Sequence, residues 1–225
     1  MPKDKSDRRP LIRLALFLAC TVLILLGLNT LNSFTNTLRE LDVIEAQRDH
    51  WQRPLEVLRA LDLHDGSTVV DLGSGAGYFA LKLSPAVGKG GQVLAVDLRR
   101  FSLFFLWTRA LIRGRHNVHV IVGEERNARL PMGTVDAVLI CNTYHEFSDP
   151  ERMLLQVSQS LRPGGNIVVV DRDPRATEAE RTHAVALTVV VGELRRKGFE
   201  IVGQDEHFID RPGDDSWWLV VGRRP

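Results

Sequence analysis

The chain has 225 residues, of which 29 are Lys or Arg and 28 are Asp or Glu, with 44% hydrophobic and 25% charged residues. That length suits one ordinary domain with a short addition, and that composition excludes a disordered tail protein. Two cysteines exclude a disulfide scaffold and a cysteine-built zinc centre, so no metal site is expected, and a formal charge of +1 argues against a nucleic-acid substrate.

The basic excess is N-terminal. Residues 1–38 hold Lys3, Lys5, Arg8, Arg9 and Arg13 against Asp4 and Asp7. From Leu14 to Leu38 there is no charged residue, a run of 25. As a helix, residues 11–31 would reach about 31 Å, and a hydrocarbon core is about 30 Å thick. We therefore expect a basic tail at 1–10, a single transmembrane helix at 11–31, a polar connector at 32–50 and a folded domain at 51–225. A cleaved signal peptide fits the basic start, but the apolar run is long and no small-x-small site follows. A core helix would not need apolar residues on every side. Orientation carries a conflict. The basic tail favours a cytoplasmic N-terminus, which would put the domain outside, whereas the chemistry below needs a cytoplasmic cofactor. The chemistry is given the greater weight, and the domain is expected in the cytoplasm.

Within the domain the pattern predicts a helix from Pro54 to Leu63, then strands and helices in alternation. Thr68–Leu72, Gln92–Asp97, Val118–Val122 and Asp136–Cys141 read as short, buried, β-branched strands. Tyr78–Val87 and Arg99–Arg113 read as helices, and Asn142–Ser148 as a loop. Asp149 is an N-cap with Pro150 in the first turn of a helix ending at Leu161. The turn Arg162-Pro163-Gly164-Gly165 leads into a strand at Asn166–Asp171. A helix over 178–197 stops at Gly198, and strands at 199–203 and 217–222 close the chain. Trp217 and Trp218 are expected in the core and on the surface respectively. The predicted fold is α/β: a doubly wound, seven-stranded, mostly parallel sheet with an antiparallel pair at one edge.

The strongest local signal is Val69-Val70-Asp71-Leu72-Gly73-Ser74-Gly75-Ala76-Gly77, a strand ending beside an acid and then glycine at alternate positions. Glycine lets a backbone approach a ligand closely, and the ligand should lie beyond the carboxyl ends of the strands. Asp97 ends the next strand about 20 residues on, where an acid meets ribose hydroxyls. The spacing is not that of a dinucleotide loop, and no Lys-Ser/Thr follows for a P-loop. A carboxylate at Asp71 would repel a pyrophosphate and suits a cationic ligand.

These residues, with AVDL at 95–98, LP-x-G-x-VDAVL at 130–139 and LRPGGNIVVVD at 161–171, resemble the class I S-adenosylmethionine-dependent methyltransferases. The resemblance covers about Arg48 to Gly222. The segments Arg48–Pro54 and Asn142–Phe147 look like a bacterial small-molecule branch related to quinone-ring methyltransferases. The resemblance implies S-adenosyl-L-methionine as cofactor. Asp71, Gly73, Ser74, Gly75 and Gly77 would hold its methionine end, Asp97 its ribose and Leu98 its adenine. Glu124 or Glu125 would reach the adenine edge, and Asn142 would lie near the methyl group. Gly-Glu-Glu-Arg at 123–126 departs from the family's commoner Gly-Asp.

Methyl transfer needs alignment first and a base only where the acceptor loses a proton. His145 is the candidate base, with Tyr144 and Glu146 as neighbours that orient it or the substrate; the alternative is that His145 and Glu146 only pair within the loop. Trp51 and Gln52 either cover the site or pack ahead of a helix. The absence of an Asn/Asp-Pro-Pro motif excludes nucleic-acid amino groups, and a single domain cysteine, Cys141, excludes arsenite. The helix at 99–113 is apolar on most sides, and we expect it to touch the membrane or the N-terminal helix, with Arg99, Arg100 and Arg109 near headgroups, or else to pack on the connector. The expected activity is methyl transfer to a small lipophilic or membrane-proximal acceptor. Two other readings are a non-catalytic S-adenosylmethionine-binding regulatory module and, disfavoured by the glycine spacing, a nucleotide-dependent oxidoreductase.

Overall fold

The computed structural model describes residues 9–174, 183–211 and 215–225. The chain divides into two compact units after Ala46. The first is dominated by α1, Arg9–Asp49, 41 residues of continuous helix. It runs through the polar stretch expected as a connector. Thr35 and Thr37 return their hydroxyls to the carbonyls of Asn32 and Ser33, at 2.9 and 3.1 Å, so polar side chains there do not compete with the helix. Its best window has a mean hydropathy of 2.4, long and apolar enough to cross a membrane by length and composition.

In the second unit α2 is Pro54–Ala60, β1 Thr68–Leu72, α3 Ala80–Ala86, β2 Gln92–Asp97 and α4 Arg100–Ile112. Then come β3 Val118–Val122, β4 Val135–Cys141, a 3-10 turn at Tyr144–Glu146, α5 Pro150–Ser160 and β5 Leu161–Arg172. The chain closes with α6 Leu187–Arg196, β6 Glu200–Asp210 and β7 Ser216–Arg223. The seven strands lie in the order β3-β2-β1-β4-β5-β7-β6. Strands β1 to β5 are mutually parallel, and β7 runs antiparallel to both β5 and β6. Strand order reverses between β1 and β4, so the crevice at their carboxyl ends is where a ligand belongs.

Both sheet faces are covered. Val57, Leu83 and Leu106, from α2, α3 and α4, bury one face, and Leu154, Val157 and Leu194, from α5 and α6, bury the other. Asp149 caps α5 by accepting the Arg152 N–H at 3.1 Å, as the Asp-Pro pair predicts. The last helix begins later than expected. Of the predicted span, 178–182 lies outside the described residues, and Val185 is outside the helix. Its N–H donates to the Arg172 carbonyl at 3.1 Å and its carbonyl accepts the Trp218 indole at 2.8 Å. Strand β6 reaches Asp210, well beyond the expected 203, because an edge strand tolerates the outward polar residues Gln204, Asp205 and Glu206. Trp217 and Trp218 are both buried, one on each sheet face, so Trp218 is core and not surface.

Candidate active site

The glycine loop leaves β1 and folds back onto the end of β2. The N–H groups of Gly73 and Ser74 donate to the Val96 carbonyl at 2.8 and 3.0 Å, and that of Gly75 to Asp97 Oδ2 at 2.8 Å. Gly73 has φ +84° and Gly77 φ +99°, and a Cβ on either would overlap a neighbour, the Thr143 side chain or Leu106. Glycine is therefore required twice over, by conformation and by space. Asp97 also accepts the Arg99 N–H at 2.7 Å on its other oxygen. A carboxylate oxygen can accept more than one donor, so Asp97 fixes the loop and retains capacity for ribose hydroxyls.

Beyond these strands a cavity of about 220 Å³ is lined by Gly73, Asp97, Leu98, Glu124, Glu125 and Thr143 among others. Most residues expected at the ribose and adenine end therefore come together. Glu124 is tied to Arg129 by an ion pair and to Asn127 by paired backbone bonds, which shapes the departing 123–127 segment. Glu146 lines the same cavity, together with Asp97 and Leu98.

The residues expected at the methionine end and near the methyl group leave buried polar atoms without a partner. Asp71 is 3% exposed, and its Oδ2 has no hydrogen-bond partner; Ser74 Oγ and Asn142 Oδ1 are likewise buried without one. Burial pushes the Asp71 carboxyl up to about 7; the Ala80 N–H opposes this, the Asp97 charge adds to it and the Arg48 charge opposes it. An orphaned buried carboxylate oxygen is costly unless a donor arrives. A ligand ammonium supplies that donor, so these residues fit the methionine end of S-adenosylmethionine. Asn142, at φ +54° immediately after β4, holds its backbone by donating to the Val170 carbonyl at 2.8 Å.

Sequence reasoning gave no role to Arg48, Asp49 or Tyr78. Arg48 donates through Nε to Gln52 Oε1 at 2.6 Å and lies 3.8 Å over the Tyr78 ring. Tyr78 in turn donates to Asp49 at 2.8 Å. Gln52 is fully buried, with its amide 3.4 Å from Cys141 Sγ, so it is a strut and not a cover. Trp51 packs at 5.7 Å on Trp217, the packing alternative.

His145 Nδ1 lies 2.8 Å from Asp171 Oδ1, and the two side chains are 5% and 0% exposed. Asp171 also accepts the backbone N–H groups of His145 at 3.2 Å and Arg172 at 2.8 Å. Asp171 had no role in the sequence reading. The signal available was an acid ending the fifth strand beside the loop that carries His145. Tyr144 is not brought to the crevice. It is buried in the core on the α5 and α6 side, and its hydroxyl is bound by Glu193. Burial first, and that carboxylate second, push its phenol above the ordinary range. It tethers the turn instead of orienting a substrate. Arg109 is a correction of the same kind. It is 3% exposed and donates to the Ala76 carbonyl at 2.7 Å, so it braces the glycine loop and cannot meet a headgroup. Among the described residues no group of three His, Cys, Asp or Glu is placed to hold a metal ion.

Residues 69–165 match the family model described as a methyltransferase domain. The ubiquinone/menaquinone biosynthesis C-methyltransferase of Blochmanniella floridana is 28% identical over 116 residues, 51% of this chain and 46% of that protein. The protein-L-isoaspartate O-methyltransferase of Methanothrix thermoacetophila is 30% identical over 110 residues, 48% of this chain and 49% of that one. The chain thus spans about half the length of these curated relatives. Among solved structures, a SAM-dependent methyltransferase from Aquifex aeolicus superposes with a TM-score of 0.71 at 24% identity, covering 84% of this chain and 98% of that one, which speaks for the fold. Glycine loop, strand order and family match agree: residues 69–165 carry a methyltransferase domain of the class I S-adenosylmethionine-dependent kind, similar to that of the quinone methyltransferases.

Proposed function

We propose that the protein is an enzyme that transfers the methyl group of S-adenosylmethionine to a small, lipophilic, membrane-proximal acceptor. The bound cofactor supplies an electrophilic methyl on a sulfonium. Asp71, Ser74 and the backbone of 73–77 hold its methionine end, Asp97 its ribose, and Leu98 with Glu124 or Glu125 its adenine. Transfer would bond the methyl carbon to the acceptor atom with S-adenosylhomocysteine as the leaving group, and Nε2 of His145 would take the acceptor's proton.

The observation that carries an enzyme over a binding module is the His145–Asp171 pair. A carboxylate that accepts from three donors fixes the proton on Nδ1 and leaves Nε2 as the basic nitrogen. Cofactor binding alone would need no such device. Support for a lipophilic acceptor comes from α1, whose apolar residues are exposed along its length, and from relatives named demethylmenaquinone methyltransferase. In this reading α1 spans the membrane and the domain lies in the cytoplasm, where the cofactor is made.

The test is calorimetric titration of the detergent-solubilised full chain with S-adenosylmethionine, S-adenosylhomocysteine and NAD, followed by label transfer from methyl-labelled S-adenosylmethionine into membrane lipid extracts and quinone precursors. Cofactor binding with label appearing in the lipid phase supports the proposal. Tight binding without transfer to any acceptor would favour the regulatory module, and NAD binding would favour an oxidoreductase.

A further inference from the structure

Arg48 stands in the last turn of α1, outside residues 69–165 that match the methyltransferase family model. It is half-buried, and two contacts hold it at the β1–β4 crevice. Its Nε donates to Gln52 Oε1 at 2.6 Å, and the Gln52 amide lies 3.4 Å from Sγ of Cys141, the last residue of β4. The Gln52 N–H repeats this tie by donating to the Arg48 carbonyl at 2.8 Å. On the other side the guanidinium carbon lies 3.8 Å from the centre of the Tyr78 ring, and Tyr78 follows Gly77 in the glycine loop. The guanidinium is thus fixed between a strand end and the loop.

These contacts use one N–H group and one face of the plane. A guanidinium presents five N–H donors in a planar fork, and stacking on a ring leaves the edge of the fork free. Among the described residues, Nη1 and Nη2 of Arg48 have no hydrogen-bond or ion-pair partner. The adjacent acid is engaged elsewhere: Asp49 accepts from the Tyr78 hydroxyl at 2.8 Å and pairs with Lys82 at 2.8 Å. The Arg48 charge does reach Asp71, where it opposes the rise that burial causes. A cation with open donors and a buried carboxylate with an open acceptor therefore act on each other at one place. The methionine end of the cofactor carries an ammonium and a carboxylate on a single carbon. The two side chains match those two groups in sign and in hydrogen-bonding sense.

We propose that Arg48 binds the carboxylate of the cofactor's methionine end through its Nη groups, while Asp71 takes the ammonium. The assignment rests on the reading that Asp71 and the glycine loop hold S-adenosylmethionine, and it adds to them a contact from the N-terminal helix.

The experiment is calorimetric titration of the detergent-solubilised full chain, as wild type and as Arg48→Met and Arg48→Gln. The ligands are S-adenosylmethionine, decarboxylated S-adenosylmethionine and 5′-methylthioadenosine. The first two share the sulfonium and the ammonium and differ only in the carboxylate, so any effect of the substitution on Asp71 cancels in the ratio of their affinities. The third lacks the amino-acid end and reports that the adenosine site is folded. Losing a hydrogen-bonded charge pair should lower that ratio about 10- to 100-fold in both variants, with 5′-methylthioadenosine binding unchanged. A ratio equal to that of wild type would overturn the proposal, whatever the absolute affinities, and would leave Arg48 as a brace for the loop. Failure of the wild-type chain to bind S-adenosylmethionine would overturn the cofactor reading, and this assignment with it.

Discussion

Asp171 sits at the end of β5 with Oδ1 2.8 Å from Nδ1 of His145, and its carboxylate also receives the backbone N–H of the same histidine. One acid therefore fixes both the position of the residue and the orientation of its ring. If Nε2 is the base, His145→Ala lowers kcat by about 10²–10⁴-fold for an acceptor that must lose a proton. Asp171→Asn lowers kcat in the same direction, because the ring loses its fixed tautomer. Cofactor affinity by calorimetry stays unchanged in both variants, which separates a catalytic loss from a folding defect.

Asp71 yields a pH prediction. Its carboxyl is pushed from an ordinary 3.8 up to about 7, by burial first. The folded protein therefore keeps this proton where the unfolded chain has released it. The contribution of Asp71 to stability is fully present below about 3.8 and is lost as pH rises through about 7. In urea titrations, the stability of Asp71→Asn relative to wild type should rise across that window and level off above it. An arriving ammonium favours the carboxylate, so cofactor binding near neutral pH should release a fraction of a proton. Calorimetry in buffers of different ionisation enthalpy measures this, and the release should vanish in Asp71→Asn.

Asp97 joins the glycine loop to β2 and is the expected ribose acceptor. Removing a charged acceptor costs about 1.5–3 kcal/mol, so Asp97→Ala should weaken S-adenosylhomocysteine binding about 10- to 100-fold. Isothermal titration checks this, and an unchanged dissociation constant would remove Asp97 from the site.

The loop glycines should not be equivalent. Gly77→Ala meets both φ +99° and the Leu106 side chain, and should cost about 1–3 kcal/mol or more. Gly75 has φ +53°, and a Cβ added there would meet nothing within 4 Å, so Gly75→Ala should cost about 1 kcal/mol. The difference in urea midpoints between the two variants is the measurement.

Much of the fold was legible because apolar β-branched runs and turn residues act locally. Strands β1, β2 and β3 coincide with their predicted limits, and Asp149-Pro150 marks the start of α5. What sequence could not show was decided by partners distant in the chain. Arg109 reads as a solvent-facing cation until the Ala76 carbonyl is found across from it. Tyr144 reads as a site residue until Glu193 takes its hydroxyl. Asp171 looks like one more strand-ending acid until the turn after β4 brings His145 to it. Residues 32–49 read as a polar connector although Phe34, Leu38 and Leu41 recur at helical spacing, and α1 continues through them to Asp49.

Leu106 and Arg109 stand one turn apart on α4, and they grip consecutive loop residues, the first filling the space over Gly77 and the second holding the Ala76 carbonyl. The loop is thus clamped from a helix whose residues at 106 and 109 do not line the cavity. Cofactor affinity is open to change from there, by substitutions that never touch the ligand.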